Sequence, residues 1–292
     1  MLLPKFDFHE PQTIDEACTL LDELGERTKL LAGGTDLIVS MKRKILAPEH
    51  LVSLSEVQDL RTLDTSGDHI RIGACLTAAE LAESTDIRTS LNALNLGAGS
   101  LGSPLIRNRA TIAGNLVTAR PAADLPPPLM AFGAEVVLKS KAGERFVALK
   151  NFFKGPGETV AKPDEILTEI QVIKPPPHTG SAYIKLGTRQ ALEISLVNVA
   201  AFIALEKAEG GIKKARIVLG AVAPIPMRAL SAEKILIGEA PGESLFEKAG
   251  EAAAADSQPI DDFRGSAEYR RAMVKTLTQR ALDMACQQAL QS

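Results

Sequence analysis

The chain has 292 residues, a formal net charge of -3 from 33 basic and 36 acidic side chains, and 45% hydrophobic against 24% charged residues. That leaves room for two or three compact units with a sizeable core and gives no case for disorder. The charges are interspersed, and nine Phe, two Tyr and no Trp exclude a basic, stacking face for nucleic acid.

The N-terminus lacks a basic segment followed by an apolar one, and no apolar run approaches the roughly 20 residues that cross a bilayer. Cys18, Cys75 and Cys286 stand far apart with no CxxC. A cytoplasmic chain with buried, reduced thiols and no metal or cluster ligand set of its own is expected.

Thr13 and Glu16 form a capping-box pair ahead of Ile14, Ala17, Leu20, Leu21 and Leu24 at helical spacing, and Gly25 can close that helix. A strand over 29–31 then runs into Leu31-Ala32-Gly33-Gly34-Thr35-Asp36, which reads as a tight loop before a helix start with a basic tail, Lys42 to Lys44. Adjacent glycines reach backbone conformations closed to other residues, and a helix start adds unpaired N–H donors. Such a loop can seat a phosphate or pyrophosphate, although most Gly-Gly pairs simply turn the chain. A strand over 51–54 completes a strand-helix-strand unit too small to stand alone.

Residues 69–75 alternate as a strand with Ile70 and Ile72 on one side, and Thr77 with Glu80 repeats the capping box. Leucines at 91, 94, 96 and 101, with small residues between, predict a closely packed helix over 91–101. Hairpins follow, 135–138 with 145–149 and 197–205 with 212–222, and strands over 166–173 and 182–186 lie between. Short turns make this half largely antiparallel. Lys174-Pro-Pro-Pro-His178 is stiff and poor in donors, a good boundary. Beyond Pro226 a short helix from Ser231, an Ala-rich segment to about residue 255 and a long helix capped by Ser266 are expected. A stripe of Tyr269, Met273, Leu277, Ala281 and Met284 reads as the core face of the last.

Gly97-Ala-Gly-Ser-Leu-Gly102 spells GxGxxG, and Asp124 follows at about the spacing a dinucleotide fingerprint wants. A helical stretch precedes it where a strand is required and Pro104 follows, so a bend of small residues packed under a flat ligand fits better. Residues 107–124 are rich in short polar side chains at turns: Thr111, Asn115, Thr118 and Asp124, with Gly114 permitting close backbone approach. They suit hydrogen bonds to phosphate oxygens, a ribityl chain or ring heteroatoms, and none is a ready nucleophile. The same composition also suits a well-satisfied irregular loop.

Leu-Ala-Gly-Gly-Thr-Asp-Leu at 31–37, Ala-Thr-Ile-Ala-Gly-Asn at 110–115, Ala-Arg-Pro-Ala-Ala-Asp at 119–124 and Tyr-Arg-Arg at 269–271 together resemble the FAD-binding medium subunit of the molybdenum hydroxylases, the family of carbon monoxide and xanthine dehydrogenases. The order holds over nearly the whole chain. The resemblance implies an α+β fold of the PCMH or vanillyl-alcohol-oxidase type: FAD-binding subdomains over 1–56 and 57–176, then a C-terminal domain over 177–292 with a small antiparallel sheet and helices. It implies that Leu31, Ala32, Gly33, Gly34, Thr35 and Asp36 wrap the FAD pyrophosphate. Thr111, Ala113, Gly114, Asn115, Thr118 and Asp124 would hold the diphosphate, ribityl and flavin-proximal groups. Lys185 would sit by the polar edge of the ring and, with Arg189, stabilise negative charge on the reduced flavin. Leu101 and Ile194 fall where some relatives set an aromatic residue against the ring.

The implied role is electron outlet of a molybdenum-containing complex. Electrons would arrive from two [2Fe-2S] clusters on a small partner subunit, having left a substrate at a large molybdenum-cofactor subunit, and would leave through FAD to NAD or another acceptor. The assembly implied is a dimer of heterotrimers, a heterohexamer. No cysteine-bearing cluster insertion and no residue suited to covalent flavin attachment is present. The rival readings are a self-contained FAD oxidoreductase, against which no proton-abstracting His-Tyr-Arg cluster is found, and a flavin-free assembly scaffold, against which the intact loops speak.

Overall fold

The computed structural model describes residues 3–189, 192–208 and 210–291. The first unit is a parallel three-stranded sheet in the order β1-β3-β2, with β1 Asp7–His9, β2 Thr28–Leu31 and β3 His50–Ser53. Helix α1 (Ile14–Leu24) connects β1 to β2, and α2 (Leu37–Lys42) connects β2 to β3. Thr13 caps α1, but the Glu16 carboxylate takes the Gln12 N–H, so the expected box closes one residue early. Strand β1 carries too few residues to show an alternation and is held by β3 instead.

In the second unit, β4 (Leu63–Asp64) and β5 (His69–Gly73) precede a long helical excursion. It comprises α3 (Ala78–Glu83), with its capping box complete at Thr77, α4 (Thr85–Ser90), α5 (Asn92–Ser100), α6 (Pro104–Arg107), α7 (Ile112–Val117) and α8 (Pro126–Phe132). The chain returns as the hairpin β6 (Glu135–Ser140) and β7 (Gly143–Ala148), a small flap of β8 (Phe153–Gly155) and β9 (Glu158–Thr159), and β10 (Ile166–Ile173). Strand β10 inserts between β5 and β6, antiparallel to both, giving the order β4-β5-β10-β6-β7. The GxGxxG match lies mostly within α5; its first glycine is there because a Cβ would stand 2.9 Å from the Asp124 carbonyl oxygen.

The Lys-Pro-Pro-Pro connector leads to a four-stranded antiparallel sheet, β11 (Thr179–Leu186), β12 (Val197–Leu205), β13 (Ile212–Gly220) and β14 (Met227–Arg228), followed by α9 (Leu230–Leu236), α10 (Glu243–Asp256) and α11 (Ala267–Gln291). Every residue of β12 is buried. Ala200, Phe202 and Ala204 join the core of the preceding units, whereas Val199, Ala201 and Ile203 pack in a second core with α9, α10 and α11. A strand covered on both faces loses its polar alternation, which is why it reads as one apolar run.

The stripe expected on α11 holds at Met273, Leu277 and Ala281, which pack in the C-terminal core, and is corrected at its two ends. Tyr269 and Met284 are 46% and 44% exposed, and the buried face is Arg270, Val274, Leu277, Ala281, Leu282, Ala285 and Ala289. Small residues let the helix lie close to β11, and a Cβ at Gly180 would fall 1.8 Å from the Ala285 carbonyl oxygen. Among the described residues no helix is long and apolar enough to cross a membrane, and no group of three or more His, Cys, Asp or Glu is arranged for a metal ion.

Gly180→Ala is expected to cost about 3 kcal/mol by forcing α11 off the sheet, read as a lowered urea midpoint; Gly242→Ala, where a Cβ meets nothing within 4 Å, is the control. A second expectation concerns Arg145, whose Nε and Nη2 donate to the two Glu165 oxygens at 2.6 and 2.7 Å. Arg145 holds the Glu165 carboxyl below its ordinary 4.5. The stabilisation is therefore complete above that value and disappears as pH falls through the lowered folded one. Glu165→Gln should cost about 1 kcal/mol at neutral pH and nothing in strong acid, measured by denaturation across pH.

Candidate functional site

Two loops meet at the carboxyl end of β2. The first leaves β2 at Leu31 and turns through Gly34, whose φ of +74° requires glycine. Gly33 has a different duty: a Cβ there would lie 1.8 Å from the Arg109 carbonyl oxygen, so its bareness lets the first loop press against the second. The N–H groups of Gly33, Gly34, Thr35 and Asp36 donate to no protein acceptor among the described residues. Four consecutive free donors at the start of a helix make an anion seat.

The second loop is anchored differently. Thr111 caps α7 by accepting the Gly114 N–H, while the Ile112 and Ala113 N–H groups go to the carbonyls of Leu76 and Ala74. Asn115 Oδ1 accepts the Leu125 N–H at 3.3 Å, which leaves its NH2 free, and Thr118 Oγ1 donates to the Gly114 carbonyl at 2.7 Å. Orientation of Asn115 is thus fixed by one partner, with two donors to spare.

The loops border two neighbouring chambers. The smaller, about 330 Å³, is lined by Ala32 to Leu37, Leu101, Thr111, Ala113 and Gly114. The larger, about 890 Å³, is lined by Ala123, Asp124, Ile194, Ser195 and Ala221. Asp36, Asn115 and Thr118 line both and so stand where the two adjoin. Leu101 and Ile194 face different chambers, and Leu31 and Lys185 line neither.

Lys185 is instead committed to Asp124. Its ammonium is 2.8 Å from Asp124 Oδ2 and donates to the Ser100 carbonyl at 3.1 Å. Tyr183 Oη and Ser195 Oγ donate to Asp124 Oδ1 at 2.7 and 3.0 Å. Burial raises the Asp124 carboxyl above its ordinary value, opposed by the Lys185 charge and the three donors. Burial, and then the Asp124 charge, push the Tyr183 hydroxyl well up, so it stays a donor. Arg189 makes no bond to this cluster; it is exposed and pairs instead with Glu193, which lines the larger chamber.

Tyr183 and Ser195 carry no sequence signal for this role, being 59 and 71 residues from Asp124. The larger chamber also gathers Arg120, Arg264 and Arg270. Arg270, the middle residue of the Tyr-Arg-Arg match, is buried; its Nη1 donates to the carbonyls of Leu196 and Ala221, and its Nη2 lies 2.6 Å from Asp262 Oδ1. It holds Ala221 at a φ of +63°, and Leu192, which lines the same chamber, is at +54°. Left-handed backbone at non-glycine residues clusters where surrounding contacts over-determine a site.

Residues 4–175 match the family described as the FAD binding domain in molybdopterin dehydrogenase, and residues 182–285 match the CO dehydrogenase flavoprotein C-terminal domain. The chain belongs to this family of FAD-binding molybdenum hydroxylase subunits. It is 33% identical to the carbon monoxide dehydrogenase medium chain of Hydrogenophaga pseudoflava over 98% of both chains. It is 32% identical to the xanthine dehydrogenase FAD-binding subunit of Escherichia coli O157:H7, over 96% of this chain and 97% of the relative. Among solved structures, carbon monoxide dehydrogenase from H. pseudoflava lacking the Mo-pyranopterin moiety superposes with a TM-score of 0.92 at 34% identity, covering 98% of each chain. FAD is the family's cofactor, and the donor set fits it: unpaired N–H groups for a diphosphate beside a roomy chamber for a ring.

Lys185→Met leaves a buried carboxylate without its counter-charge and should cost this flavoprotein about 3 kcal/mol, measured by urea unfolding of the purified chain.

Proposed function

We propose that the chain is the electron outlet of a molybdenum-containing hydroxylase, accepting electrons from [2Fe-2S] clusters on a small partner subunit and delivering them through FAD to NAD or another acceptor. A large subunit carries the molybdenum cofactor, and the whole is a dimer of heterotrimers. The observation that carries this reading is the row of free N–H groups from Gly33 to Asp36 lining the smaller chamber beside the larger one.

In this reading the chain divides at about residues 56 and 176. The Ala32 to Asp36 backbone grips the pyrophosphate, so binding needs no arginine at that point. Asn115, where the two chambers adjoin, takes diphosphate or ribityl oxygens through the NH2 left to it, and Thr118, its proton committed to Gly114, offers its hydroxyl oxygen as an acceptor to a ribityl hydroxyl. Bound FAD supplies the exchange between one- and two-electron carriers. Ala113 and Gly114 keep the second loop low enough for close approach, and Leu101 excludes water from the smaller chamber. Asp124, saturated by Tyr183, Ser195 and Lys185, shapes the wall of the larger chamber. Lys185 acts through Asp124, and Ile194 stands on the open side of that chamber.

The purified complex should contain one noncovalent FAD per copy of this chain, released by acid; a colourless complex overturns the reading. Asn115→Asp removes a donor and sets a negative charge where the two chambers adjoin. It should weaken FAD binding about tenfold, or about 1.4 kcal/mol, in a fluorescence titration of the cofactor-stripped chain, while circular dichroism stays unchanged.

A further inference from the structure

The charge that would favour electrons on the cofactor does not stand at the residues the sequence suggests. Lys185 is neutralised by Asp124, and Arg189 by Glu193. Of the three arginines lining the larger chamber, Arg120 is exposed, and water screens it as it screens the exposed Asp36. Arg264 and Arg270 are held differently.

Arg270 is only 3% exposed, in the first turn of α11. Its Nη1 donates to the neutral carbonyls of Leu196 and Ala221 at 3.2 and 3.1 Å, and its Nε bonds nothing among the described residues. Its carboxylate partner is Asp262. Arg264 shares that partner: Nη1 lies 3.6 Å from Asp262 Oδ2, the backbone N–H donates to Asp262 Oδ1 at 2.8 Å, and the guanidinium carbon lies 4.8 Å from the Phe263 ring centroid. Burial raises the Asp262 carboxyl, but the Arg264 N–H and the two guanidinium groups outweigh it and leave the carboxyl below its ordinary value, so it is charged at neutral pH. Two cations therefore meet one anion on the chamber wall. A guanidinium does not lose its proton at any working pH, so the excess stays. In a setting poor in water such a charge is costly until negative charge develops beside it.

We infer that Arg270 and Arg264, opposed by Asp262 alone, supply the charge that favours reduced FAD in this chamber, so that the reduced, negatively charged cofactor is held more tightly than the oxidised one. The inference rests on the larger chamber being the seat of the flavin ring. The charge is fixed in place, because the carbonyls that Arg270 holds belong to Ala221, itself a chamber residue, and to Leu196, which follows Ser195 of the same wall. A charge shifts the balance between two cofactor forms only by its different interaction with each. The mark of this role is therefore a changed potential with unchanged affinity for oxidised FAD.

The test is a redox titration of the FAD-loaded full chain against a reference dye, followed at the flavin absorbance, with a fluorescence titration of oxidised FAD alongside. Arg264→Gln removes the excess cation and keeps the backbone N–H that Asp262 accepts. It is expected to disfavour reduced against oxidised FAD about tenfold, a fall of about 30 mV for a two-electron couple. Asp262→Asn leaves both cations unopposed and should raise the potential by a similar factor. Arg27→Gln, which removes an exposed cation of the first unit, should leave it unchanged. An unchanged potential in Arg264→Gln, a shift of the same sign in Asp262→Asn, an equal fall in Arg27→Gln, or an equal loss of oxidised-FAD affinity in Arg264→Gln overturns the inference. A parent chain that takes up no FAD overturns the flavin reading beneath it instead, so the two failures are told apart.

Discussion

A buried carboxylate joins the two halves of this flavoprotein. Asp124 belongs to the loop beneath the larger chamber, yet Tyr183 and Lys185, two of the donors that satisfy it, stand on β11 of the C-terminal sheet, and Ser195 stands just before β12. Isolated in that setting, a charged carboxylate would be expensive; with an ammonium and two hydroxyls it becomes a cross-link whose geometry is fixed by three directions at once. The chamber wall and the docking of the third sheet are therefore one structural problem.

A comparable economy links the two cofactor loops. The first glycine of the Gly-Gly pair is occupied by protein, pressed on the Arg109 carbonyl, and the second supplies the left-handed turn. Free N–H groups follow only because the chain has turned so tightly that no carbonyl of its own can reach them. In the second loop the N–H groups of residues 112–115 are consumed internally, so its ligand-facing donors are side chains. One loop offers backbone and the other offers side chains.

Much of this was legible in the sequence where the signal is local. The box at Thr77, the hairpin of β6 and β7, the partners β12 and β13 and the long final helix follow from capping, turn chemistry and periodicity. The polar loop at 111–124 was visible as composition, and the order of motifs along the chain gave the family. What could not be read was set by distant contacts. The core face of α11 is turned because alanines and a buried arginine, not the larger Tyr269 and Met284, face the sheet. Lys185 reads as a free cation until the fold brings Asp124 to within 2.8 Å.

The position of β10 bears on how the chain is made. It is the middle strand of its sheet, bonded to β5 and β6, yet it is the last of the five to leave the ribosome. Until it emerges, residues 74–165, which contain the whole second cofactor loop, hang from a sheet that lacks its centre. Long-range strand insertion is slow because loop-closure entropy must be met before any contact rewards it. The cofactor cleft is consequently a late product of synthesis, and Asp124 waits longer still, since its partners on β11 follow β10.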